Sequence, residues 1–170
     1  MPATSFIALG VLLLILIPIV HFDLQERRIP NALNVLLATA GFLFQTISAS
    51  SVRAALIGLT APVAIIALFL GLIAIMKLLR RQGTLGLGDV KFLAAASLWV
   101  GFIGSTAVFV IASLFSVGFI VARSPWRRLD LRGAIPFAPF LAAGLLVVYG
   151  LGTVSQANKT SPAIIVAPAS

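Results

Sequence analysis

Residues 54–76 read AALIGLTAPVAIIALFLGLIAIM, twenty-three positions without a charge. A helix rises about 1.5 Å per residue and the hydrocarbon core of a bilayer is about 30 Å thick, so roughly 20 apolar residues make one crossing. This run is therefore read as a membrane span, and the rest of the chain repeats it. Similar runs occupy residues 6–22, 32–47, 90–103, 106–122 and 137–151. The 170 residues are 61% hydrophobic and only 9% charged, against about 25% charged in a soluble domain. The expected fold is all-α: a bundle of about six transmembrane helices, with residues 1–151 as a single integral-membrane domain. Residues 152–170 turn polar and then rich in Pro and Ala, and are expected to be a disordered extracytoplasmic tail.

Two runs need argument. Run 6–22 has no basic segment before it and ends in His21-Phe22-Asp23. A cleaved secretory signal needs basic residues first and small residues last, so this run is read as a retained span. Run 90–103 gives about 21 Å of helix. Carrying it back to Leu85 gives about 30 Å and draws Asp89 to the membrane edge.

Charge sets the orientation. Of twelve Lys and Arg, ten fall in three loops: Arg27 and Arg28; Lys77, Arg80, Arg81 and Lys91; Arg123, Arg127, Arg128 and Arg132. Cytoplasmic loops are enriched in these residues, and with six spans all three loops face the same side. Both termini are then outside, and a five-span count breaks the pattern. The net charge of +8 thus reports topology and contact with anionic headgroups, and nucleic acid is not expected as a partner.

The chain has no cysteine and one histidine, which excludes thiol nucleophiles, thiolate metal sites and His-rich metal sites. No metal or cofactor is expected. Four carboxylates remain: Asp23, Glu26, Asp89 and Asp130. Topology puts Asp23 at the cytoplasmic end of the first span and Asp89 at the cytoplasmic start of the fourth. An ionisable group at a membrane edge is a functional candidate. Plainer roles stand beside that one. Asp23 and Arg27 are spaced i,i+4 for a surface ion pair, and Asp89 suits a helix N-cap. Glu26 and Asp130 sit among arginines as charge balance, and His21 reads as an interfacial residue. Gly83, Gly86 and Gly88 leave room for a backbone to approach Asp89, or simply form a loop. Pro30 ends the first helix by Ile29, and Asn31 is a good N-cap for the second span.

Asp23 followed by Pro30-Asn31, with Gly86-Leu87-Gly88-Asp89-Val90-Lys91, resembles the type IV prepilin peptidases, membrane aspartic peptidases with a Gly-x-Gly-Asp motif. Ile135-Pro136-Phe137-Ala138-Pro139-Phe140-Leu141 is similar to that family's Pro-Phe-Gly-Pro-Phe segment, with Ala138 at the glycine. Presenilin-like proteases share Gly-x-Gly-Asp but pair it with Tyr-Asp, and Phe22 precedes Asp23 here. The resemblance runs from Asp23 to about Gly144 and is closest to the short members of tight-adherence (Flp) pilus systems.

It implies an integral-membrane endopeptidase of the bacterial inner membrane. Such an enzyme removes the short basic leader of prepilins or pseudopilins at the cytoplasmic face, with Asp23 and Asp89 activating water. Gly86, Gly88, Lys91, Pro30, Asn31, Pro136 and Pro139 become supporting or substrate-binding candidates. Larger members carry a cysteine-rich cytoplasmic domain and N-methylate the product, so methyl transfer is not expected of this cysteine-free chain. Two carboxylates sharing a water divide the roles of acid and base. A helix dipole at Asp89 favours it as the base, leaving Asp23 protonated. The substrate's apolar helix is expected to enter laterally among small residues such as Ala94-Ala95-Ala96-Ser97 and Ala142-Ala143-Gly144. Residues 82–88 are a candidate closing segment. The rival reading is a small transporter or channel component that uses Asp23 and Asp89 for protons or cations. A third reading is a non-catalytic assembly scaffold.

Overall fold

A computed structural model describes residues 3–49, 51–79, 86–123 and 136–160. Its elements are helices: α1 (Ala3–Glu26), α2 (Asn31–Ser48), α3 (Val52–Gly58), α4 (Thr60–Leu78), α5 (Leu87–Arg123) and α6 (Ala138–Thr160). The arginine cluster around Asp130, the closing segment before Gly86 and residues 161–170 lie outside the described residues.

Four stretches are long and apolar enough to cross a membrane: Ser5–Glu26, Asn31–Ser48, Val52–Leu78 and Leu87–Ala122, with the shorter Ala138–Val154 beside them. The all-α membrane fold is as expected, but the runs divide differently. Run 54–76 is two helices, α3 and α4, hinged at Leu59. Runs 90–103 and 106–122 both fall in α5, as two helical arms joined at Gly101.

The count of six is recovered inside α5. Straight, its 36 candidate residues would measure about 54 Å, nearly two bilayer cores. It is not straight, because Gly101 has φ 74° and ψ 180°, a region essentially reserved for glycine. Ser105 Oγ donates to the carbonyl of Leu93 at 2.7 Å. On a straight helix these residues stand about 18 Å apart along the axis, so the chain doubles back at Gly101. The arms, residues 87–100 and 102–123, form a hairpin.

The first arm is the centre of the bundle: residues 92–99, Phe-Leu-Ala-Ala-Ala-Ser-Leu-Trp, are all buried. Small residues let neighbours come close. Gly41 on α2 faces Trp99 and Leu98, and Trp99 Nε1 donates to the Leu37 carbonyl at 3.0 Å. Gly144 on α6 sits against the Val108 backbone of the second arm, and Phe69 on α4 packs on Phe109. Large apolar side chains point outward along every span, among them Ile7, Ile17, Val63 and Leu114, as a lipid-facing surface requires.

Two boundaries move. α6 runs on to Thr160, so residues 152–160, read as tail, are helical. No proline interrupts them before Pro162. Asn31 is not a cap: Pro30 holds the N-cap position without a side-chain bond, and Asn31 is the first helical residue. Its side chain is engaged by a lysine on α5.

Candidate active site at one end of the bundle

Four helix ends meet where the sequence places its candidates. α1 ends at Glu26 because Arg27 leaves the helical region with φ 53°, three residues before Pro30. This stop leaves Asp23 in the last turn. Its side chain is buried, 7% exposed, with Oδ2 accepting the backbone N–H of Ala138 at 2.9 Å. The donor explains the Pro-Phe-Ala-Pro-Phe segment. Ala138 is the first residue of α6, so its N–H has no partner within the helix. Pro139 has no N–H to satisfy and suits a first turn. Pro136 and Phe137 bring the chain in just outside the helix. Asp23 turns inward to this N–H and not to Arg27, so the i,i+4 ion pair does not form.

Asp89 is the third residue of α5, half-buried. Its N–H and that of Val90 bond the Gly86 carbonyl at 3.0 and 3.3 Å, so Gly86, not Asp89, holds the capping position. A Cβ on Gly86 would come 3.0 Å from Asp89 Oδ2. The glycine therefore leaves that side of the carboxylate free of a side chain. Gly88 lies against Ile29 of the α1–α2 connection, with its absent Cβ 3.9 Å from the isoleucine Cβ. Lys91 Nζ donates to Asn31 Oδ1 at 2.9 Å, tying the starts of α2 and α5. Ile29 follows Asp23 by six residues and Gly88 directly precedes Asp89, so the contact between Gly88 and Ile29 brings the two aspartates to the same end of the bundle.

The structure thus gathers Asp23, Pro30, Asn31, Gly86, Gly88, Asp89, Lys91, Pro136 and Pro139 at one end. Glu26 and His21 are exposed there. Among the described residues no three His, Asp or Glu side chains gather in one place. Asn34 on α2, one turn beyond Asn31, was missed by the sequence reading. It is buried and neither amide atom has a partner. A polar side chain inside an apolar span is a signal in its own right.

A model of the Type IV leader peptidase family matches residues 10–121, a stretch that holds both aspartates. The chain belongs to that family. A prepilin leader peptidase/N-methyltransferase of Burkholderia pseudomallei is 37% identical over 138 residues, covering 77% of this chain and 42% of that protein. The leader peptidase HopD of Escherichia coli is 38% identical over 73 residues, 42% of this chain and 47% of its own. A prepilin leader peptidase/N-methyltransferase of Aeromonas hydrophila is 29% identical over 146 residues, 83% of this chain and 48% of its own. The chain spans about half the length of these relatives. No solved structure matches it. Membership of the type IV leader peptidase family and the apolar helices make this a multi-pass protein of the bacterial inner membrane.

Proposed function

We propose that the chain is an integral-membrane aspartic endopeptidase that removes the basic leader of type IV prepilins or pseudopilins, with Asp23 and Asp89 as the catalytic pair. The observation that carries the reading is the meeting of two carboxylates from distant helices at one end of a family-matched bundle. Each is held by a backbone device: Asp23 by the Ala138 N–H, Asp89 by the Gly86 capping turn.

In this reading a water lies between the carboxylates. One takes a proton from it as the oxygen attacks the scissile carbonyl carbon. The other hydrogen-bonds the carbonyl oxygen and then gives its proton to the leaving amine. The assignment favoured by sequence is reversed here. Asp89 lies at the N-terminus of its own helix, while Asp23 sits between the C-terminal turn of α1 and the N-terminus of α6, dipole ends of opposite sign, so the dipoles alone do not assign the roles. The direct N–H donor does, because a bond of this kind is strongest to a carboxylate. Asp23 is therefore the base and Asp89 the acid.

The site end is read as cytoplasmic. Arg27 and Arg28 follow α1, Lys77 lies in the last turn of α4, Lys91 near the start of α5 and Arg123 at its end, a distribution that supports this through the positive-inside bias. Co-expression with a candidate prepilin tests the function: the wild-type chain shortens the pilin by its leader, and an intact leader overturns the reading. The mass of the new N-terminus also reads whether it is methylated.

A further inference from the structure

On the lipid side of the same end, α2, α4 and the first arm of α5 enclose a groove of about 380 Å³. Val35, Ala38, Pro62, Ile66 and Leu98 wall it, Ala94 and Ala95 floor it, and Asn31 and Lys91 stand at its mouth. Lys91 is two residues from Asp89. Asn34 also lines it, deeper than Asn31 along α2 and among apolar residues. Asn34 is 6% exposed, and neither Oδ1 nor Nδ2 has a hydrogen-bond partner. A buried amide without partners costs stability, so its presence in an apolar span calls for an occupant. The small residues expected to receive the substrate divide accordingly. Ala142 and Gly144 are taken up by packing against α5, whereas Ala94 and Ala95 face this groove.

The occupant's chemistry follows from the amide. A carboxamide offers one acceptor and two donors, which matches one residue of an extended chain, whose own N–H and C=O point to the same side. A helix presents neither, because its backbone groups are paired internally. A peptide bond open to hydrolysis is not in a helix, and at membrane depth its neighbours' N–H and C=O groups must be satisfied by protein. We infer that the groove holds the extended segment of substrate chain flanking the cleaved bond, with Asn34 Nδ2 donating to the carbonyl of one substrate residue and Oδ1 accepting the N–H of that same residue. This rests on the proposed peptidase reading and adds a substrate-binding residue to it.

The test is leader removal by the purified full chain in detergent micelles, with the prepilin as probe, comparing wild type with Asn34→Leu. Losing two backbone contacts lowers kcat/KM by about tenfold or more, chiefly through KM. Removing an unpartnered buried amide leaves unfolding unchanged or raises its midpoint. A merely structural Asn34 would instead lower the midpoint and leave KM alone. A photo-crosslinking side chain at Ala38, in the groove, captures the prepilin, while one at Val110, exposed on the second arm of α5, does not. Wild-type KM in Asn34→Leu, or equal capture at both positions, overturns the inference. If the wild-type chain itself leaves the prepilin intact, the peptidase reading fails instead.

Discussion

Replacing Gly101 by alanine tests the hairpin that lets the two arms of α5 supply two passes. Its Cβ would meet nothing within 4 Å, and the same holds at Gly118 on the second arm. Packing therefore contributes nothing at either position, and the backbone alone sets the sign. At Gly101, φ 74° with ψ 180° places an L-residue in a glycine-only region, at a cost of about 1–3 kcal/mol. At Gly118 the backbone is helical, and alanine gains about 0.5–1 kcal/mol over glycine. The two variants should thus lie on opposite sides of wild type, about 1.5–4 kcal/mol apart. Unfolding in mixed micelles, followed by loss of helical circular dichroism as the denaturing detergent fraction rises, measures the difference. If Gly101→Ala is as stable as Gly118→Ala, residue 101 does not hold a positive φ and the chain does not reverse there.

Gly41→Ala places a Cβ 2.6 Å from Trp99 Nε1 and 3.0 Å from Leu98 Cβ. It should cost about 1–3 kcal/mol in the same unfolding assay and shift tryptophan emission as α2 moves off α5. Ala138→Pro deletes the N–H that Asp23 accepts while keeping a residue that first helical positions tolerate. Helicity should persist while leader removal falls about tenfold to a hundredfold, the worth of a hydrogen bond to a charged group. Unchanged cleavage would remove Ala138 from the account of Asp23.

What was legible in the sequence was what hydropathy and charge encode locally. Uninterrupted apolar runs marked the spans, and the basic loops put Asp23 and Asp89 at one end before any coordinates. The reversal at Gly101 was less visible. Trp99-Val100-Gly101-Phe102-Ile103 is apolar throughout, so hydropathy places a boundary near residues 103–106 without showing the turn. Asn31 looked like a cap because its competitor, Lys91, is sixty positions away. The role of the Pro-Phe-Ala-Pro-Phe segment needed the distance from Ala138 to Asp23, 115 positions apart. The helix beyond Leu151 was lost to a composition argument, since polar residues can continue a helix that no proline stops.

The central claim is that Asp23 and Asp89 together hydrolyse the leader peptide bond. Its most direct measurement is the turnover of a purified prepilin by Asp23→Asn and Asp89→Asn, each near-isosteric, with Glu26→Gln as the exposed carboxylate control. Loss of an acid or base predicts that kcat falls about 10²–10⁴-fold in each aspartate variant, with Glu26→Gln at the wild-type rate and all three unfolding as wild type does. Cleavage at the wild-type rate by either aspartate variant would contradict the account.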